Sequence, residues 1–147
     1  MVHHIPVVGG LQIFQGALEC VMGVGLLIMT FAVPSILRDM PNMFGPEMEV
    51  PSPAFLMILY GMLGLLLLAV GGLRIVAGVL SFRYRGRILG IVSLSAGLTT
   101  LLACYCFPTA LALFIYGLVV YLKPDVVRAF EMRKQGASPE EIRATVR

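Results

Sequence analysis

The sequence predicts an all-α membrane protein: a four-transmembrane-helix antiparallel bundle with a short helical cytoplasmic tail. Three observations carry that expectation. Hydrophobic residues fill 59% of the 147 positions and charged residues only 13%, with a mean hydropathy of +0.92; a soluble domain of this length needs more charge to cover its surface. The apolar residues gather into four unbroken runs instead of alternating, and such a run satisfies its backbone in lipid only as a helix. The basic residues border these runs and form no separate patch.

The first run, 11–33, carries one charge, Glu19. The second, 54–82, carries Arg74 alone, and the third (88–106) and fourth (108–122) carry none. At ~1.5 Å per residue, about 20 residues cross a ~30 Å hydrocarbon core. The first three runs meet that length; the fourth is short and its lower limit is open. Neither a positive n-region nor a small-residue cleavage site marks the first run as a signal peptide, so it is read as retained.

The connections agree with the spans. The outer loop, 34–53, holds Pro34, Pro41, Pro46, Pro51 and Pro53 with Asn42 and Gly45, and is expected to be irregular. Ser81–Arg87 reads as a short basic turn, and Phe107–Pro108 as a tight one. Arg83, Arg85 and Arg87 in the second connection and Lys123, Arg128, Arg133, Lys134, Arg143 and Arg147 in the tail set nine basic residues against Arg38 in the first loop. The positive-inside rule then predicts both termini in the cytoplasm. The sequence pI near 9.0 reflects this topology signal, and no nucleic acid is expected as a partner.

Two stripes of small residues suggest packing seams. Gly90, Ser93, Gly97, Thr100 and Cys104 recur at spacings of three and four in the third run; Gly64, Gly71 and Gly78 recur every seventh residue in the second. Small side chains let membrane helices approach closely. The stripes hold either the bundle itself or a homo-oligomer.

An ionisable residue at membrane depth is costly and marks a function or a specific partner. Glu19 and Arg74 fall at similar depth on antiparallel helices, which predicts an intramembrane ion pair. Gln12 and Gln15 share the face of Glu19 and are expected to support it. The rival reading is a Glu19 that titrates and couples proton or cation movement along a route lined by Gln12 and Gln15. Gly16-Ala17-Leu18-Glu19 with Gly23 resembles the first helix of small multidrug resistance transporters, and that likeness implies transport. The long outer loop, the polar tail and Arg74 depart from that family's pattern.

Cys104 and Cys106, with Met40, Met43 and Met48, would all face outward and suggest a Cu(I) or thiol redox site; small apolar packing is the plainer reading of such residues. Cys20 lies inside the first run. Four-helix disulfide-oxidising membrane enzymes need Cys-x-x-Cys and a second pair, and the chain has neither. Walker-type loops, Gly-x-Gly-x-x-Gly, Gly-x-Ser-x-Gly and His-Glu-x-x-His are absent, so no enzyme activity and no cofactor are expected.

The tail, 123–147, reads as two short helices. Pro124 and Asp125 suit a helix start, Val126, Val127 and Phe130 form an apolar face, and Gly136 ends the first helix. Ser138-Pro139-Glu140-Glu141 is a capping box opening the second, with Ile142 and Val146 on its apolar side. Two roles are open to the tail: an amphipathic element lying on anionic lipid headgroups, or a docking hairpin for a partner.

Gly72-Leu73-Arg74-Ile75-Val76-Ala77-Gly78, Cys104-Tyr105-Cys106-Phe107-Pro108-Thr109-Ala110-Leu111 and Tyr116-Gly117-Leu118-Val119 before Pro124-Asp125 resemble uncharacterised small bacterial four-transmembrane-helix membrane proteins. That likeness implies a fold, a place in a bacterial inner membrane, and no activity. The expected function is a non-catalytic structural or accessory membrane component, as a homo-oligomer or within a larger membrane complex.

Overall fold

The computed structural model describes residues 4–39, 52–98 and 107–145. Every regular element among them is a helix: α1 (His4–Asp39), α2 (Pro53–Phe82), α3 (Arg87–Ala96), α4 (Phe107–Leu122), α5 (Pro124–Lys134) and α6 (Pro139–Thr145). Two are long and apolar enough to cross a membrane: α1, with 36 residues, and α2, with 30. At ~1.5 Å per residue they measure about 54 and about 45 Å.

α1 and α2 pack along each other more extensively than any other pair. α3 packs on α2, and α4 packs on both α3 and α1. α5 then folds under α4, and α6 returns on α5.

Local chemistry sets most of the helix ends. Ser52 caps α2, its Oγ accepting the Phe55 amide at 3.2 Å, and Pro53 follows at the first position, where a missing N–H costs nothing. The α2–α3 turn holds Tyr84 at φ 52° and Gly86 at φ 71°. A tyrosine in the left-handed region is strained, and burial offsets that strain: the Tyr84 side chain is buried beside Phe130, ring centroids 6.3 Å apart. In the tail, Ser138 and Glu141 exchange hydrogen bonds: the Ser138 amide donates to Glu141 Oε2 at 2.6 Å, and the Glu141 amide to Ser138 Oγ at 3.2 Å.

Four boundaries differ from the sequence reading. α1 begins at His4 rather than near Leu11, because its first turns carry Ile5 and Val8, both fully buried. It also runs through Pro34 to Asp39, into the expected outer loop. Proline removes one amide donor, and nearby hydroxyls bond neighbouring carbonyls: Thr30 Oγ1 donates to Leu26 O at 3.0 Å and Ser35 Oγ to Ala32 O at 2.8 Å. α3 closes at Ala96, where the Leu98 amide reaches back only three residues to Ser95 O; the rest of the third run, 99–106, lies outside the described residues. Phe107–Pro108 opens α4 and does not form a free turn, since proline is tolerated in a first helical turn.

The tail differs in placement. Val126, Ala129, Phe130 and Ile142 are buried within the chain, in one apolar cluster with Tyr84, Leu94, Leu113, Val120 and Tyr121. The tail's apolar face, read from sequence as lying on lipid or awaiting a partner, is covered by the turn and by α4. Phe130→Ala is expected to cost about 3 kcal/mol of stability in detergent, as an aromatic deletion from a packed site does, against under ~0.5 kcal/mol for the exposed Arg128→Ala. Chemical denaturation of both variants checks this.

Candidate functional site

The site is built on glycine. Gly9, Gly16 and Gly23 repeat every seventh residue along α1, as Gly64, Gly71 and Gly78 do along α2, and the antiparallel helices bring them together in three pairs. A Cβ on Gly16 would lie 2.6 Å from the carbonyl oxygen of Gly71, and one on Gly71 would lie 2.6 Å from that of Gly16. At the Gly9–Gly78 pair the corresponding distances are 3.0 and 2.6 Å, and at Gly23–Gly64 they are 2.9 and 3.0 Å. No side chain fits at any of the three levels, so backbone meets backbone. A seven-residue repeat on both partners keeps such a seam in register over several turns.

Glu19 and Arg74 stand beside this seam. Arg74 Nη1 lies 2.7 Å from Glu19 Oε1, and both side chains are 0% exposed. At that separation in a low-dielectric interior the attraction is strong, and each charge is the means by which the other is tolerated. α3 closes over the pair: a Cβ on Gly97 would overlap the Arg74 guanidinium.

About two turns away, a neutral network ties α1, α2, α3 and α4. Gln12 Nε2 donates to Gly90 O at 3.3 Å and to Ser93 Oγ at 3.2 Å, which uses both of its protons. Ser93 Oγ donates in turn to Gly90 O at 2.8 Å. Ser81 Oγ donates to Ala77 O at 2.8 Å, so its 2.6 Å contact with Tyr121 is one in which the phenol donates. The 3.5 Å approach of Tyr121 Oη to Gln12 Oε1 is then a weak secondary contact. Near the start of α1, His4 Nδ1 lies 2.7 Å from Tyr116 Oη of α4.

The two glutamines therefore do not serve the ion pair as expected. Gln12 is spent on α3. Gln15 is buried, its Nε2 has no hydrogen-bond partner, and it lines a crevice of about 360 Å³ between α1 and α4 with Leu11, Phe14, Thr109, Ala112, Leu113 and Tyr116. The spacing of Gln12, Gln15 and Glu19 placed them on one face correctly; what a single helix cannot show is that three neighbours divide that face.

Of the α3 seam, Gly90 lies against the Tyr121 ring, Ser93 meets Gln12, and Gly97 meets Arg74. These small residues and the six glycines of α1 and α2 are covered by the chain's own helices. Thr100, Cys104, Cys106, Met40, Met43 and Met48 lie outside the described residues. Cys20 is a half-buried free thiol beside Gly71. Among the described residues no group of three or more His, Cys, Asp or Glu could hold a metal ion.

The seam missed by sequence reading is that of α1. Its signal was present as Gly9, Gly16 and Gly23, but these are interspersed with Gly10 and Gly25, which blur the repeat. A Cβ on Gly10, Gly25 or Gly72 would meet nothing within 4 Å. Gly16→Ala and Gly71→Ala are each expected to destabilise by about 1–3 kcal/mol through overpacking, whereas Gly72→Ala is expected to be neutral or to stabilise by up to ~1 kcal/mol. Thermal unfolding of the three variants in one detergent checks the ranking.

Comparison with protein-family models, with curated proteins and with solved structures yields no match, so the reading of this site rests on its own geometry.

Proposed function

We propose that the chain is a non-catalytic integral membrane protein, a four-helix bundle acting as a structural or accessory component of the membrane, with both termini in the cytoplasm. The observation that carries this reading is the closed Glu19–Arg74 pair: two charges matched to each other, walled by glycine seams and apart from the lining of the α1–α4 crevice. A carboxylate that carries ions needs access to water; this one is sealed against an arginine.

The distribution of side chains supports the membrane part of the reading. Phe14, Val21 and Ile28, seven residues apart on α1, are 63%, 69% and 61% exposed, while the glycines and Gln12, Glu19 and Arg74 face inward. In water such an arrangement would expose large apolar surface and bury polarity. In lipid it is the low-energy one, since tails solvate the apolar face and polar groups pair inside. α3 and α4, although shorter in the described residues, are apolar too, and they are assigned to the third and fourth spans.

A transport reading keeps one observation in its favour, the unpartnered Gln15 amide beside the α1–α4 crevice. Two measurements separate the readings. Glu19→Gln and Arg74→Gln are each expected to lose about 3–5 kcal/mol, with much of that recovered in the double variant, because a lone buried charge is worse than none. A Glu19→Gln protein as stable as wild type, together with gradient-driven flux in liposomes that this substitution abolishes, would replace the accessory role with transport. For topology, single cysteines introduced at Arg83 and Arg128 in a Cys20, Cys104 and Cys106 triple-serine background are expected to react with an impermeant maleimide only after inverted vesicles are made. One introduced at Asn42 is expected to react from outside.

A further inference from the structure

The cytoplasmic end of the proposed bundle carries a cavity of about 470 Å³ between the α2–α3 turn and α5. Tyr84, Ile88, Val127 and Phe130 contribute apolar walls, and Arg85, Arg87, Arg133 and Lys134 bring four cations to it against one carboxylate, Glu131. None of the four cations forms an ion pair with a described carboxylate; those held at all are held by backbone. Arg87 Nε donates to Tyr121 O at 3.0 Å, and Arg133 Nη1 donates to Ala137 O at 2.9 Å. Arg133 Nε is buried with no partner. These bonds aim two guanidinium groups while leaving their charge uncompensated, with a net +3 from four cations less one anion. The first turn of α3 opens at the same place with no side-chain cap, which adds the positive end of its dipole.

We propose that this cavity binds a phosphate ester, the headgroup phosphate of an acidic glycerophospholipid. This rests on the membrane reading above and deepens it: the anionic lipid is held at one built site instead of spread over a basic surface. Arginine presents paired donors that match phosphate oxygens, and Glu131 at the rim can accept from headgroup hydroxyls. The apolar part of the ligand has a path as well. Ile88 lines the cavity and is 74% exposed, and Val92, one turn further on the same face of α3, is also exposed. An amphiphile can therefore keep its phosphate among the arginines and run its acyl chain up α3, which a free phosphate cannot exploit.

The test uses the full chain in a non-ionic detergent, with thermal unfolding followed as dioctanoyl phosphatidylglycerol, dioctanoyl phosphatidylcholine or inorganic phosphate is titrated in. A saturable rise in melting temperature with phosphatidylglycerol alone is expected. A rise of equal size and affinity with inorganic phosphate would keep the phosphate site but overturn its assignment to lipid. No saturable response to either would overturn the site. Arg85→Gln and Lys134→Gln, both of exposed residues, are each expected to weaken the phosphatidylglycerol response about fivefold, in line with the worth of one basic residue at an anionic surface. Arg83→Gln and Arg128→Gln remove the same charge outside the cavity and are expected to stay within about twofold of wild type. Equal losses in both pairs would mean diffuse electrostatics and no built site. Failure of the membrane reading would show separately, as a chain that stays monodisperse in water without detergent.

Discussion

The α1–α2 glycine contact is the constraint on which the rest depends. Three glycine pairs bring two long helices together backbone to backbone, and only at that separation does a short carboxylate on one reach a guanidinium on the other at 2.7 Å. A methyl group at the middle pair would push the helices apart at the level where the charges must meet. Glycine is poor at holding a helix in water because of its backbone entropy. In the proposed lipid setting it is acceptable, because lipid offers the backbone no alternative partner to its own helical hydrogen bonds.

From this seam outward, polarity decreases. The ion pair lies beside the seam, the Gln12–Ser93–Gly90 and Ser81–Tyr121 contacts extend to α3 and α4, and the large apolar side chains of α1 and α2 face away. The hydroxyls and amides are each used near their capacity, so this network fixes which helix sits where as well as holding them together. Beneath it, Tyr121 joins two regions: its hydroxyl meets Ser81, while its ring packs 6.1 Å from Phe130 of the tail. The tail is in this way an extension of the helical body, and the basic cavity between it and the α2–α3 turn exists only because the tail docks there.

Much of this was legible in the sequence, for identifiable reasons. The α2 limits follow from the end of the proline-rich stretch on one side and the arginine turn on the other, both short-range signals. The α6 start follows from the Ser138–Glu141 box. Glu19 and Arg74 could be matched because cost at depth forces rare charges to find each other. What escaped reading is what depends on a second surface. The partner of Gln12 is on α3, the cover of Phe130 is Tyr84, and the path of α1 through Pro34 relies on hydroxyls that bond locally only once the helix exists. The Gly9, Gly16 and Gly23 repeat was written in the chain, yet it becomes recognisable only beside the matching repeat on α2.

The Glu19–Arg74 pair has a consequence for the order of assembly. The partners are 55 positions apart (74 − 19), and at synthesis rates of about 5–20 residues per second Arg74 is made roughly 3–11 seconds after Glu19. Once residue 39 is made, α1 is a complete apolar helix, and in the proposed bilayer setting its carboxylate waits at membrane depth with no arginine beside it. On the proposed membrane reading, lateral release into lipid at that stage would strand the charge, which favours entry of the two helices as a hairpin whose glycine faces have already met. On that reading the ion pair acts as a timing device, making the second helix the condition for the first to enter the bilayer.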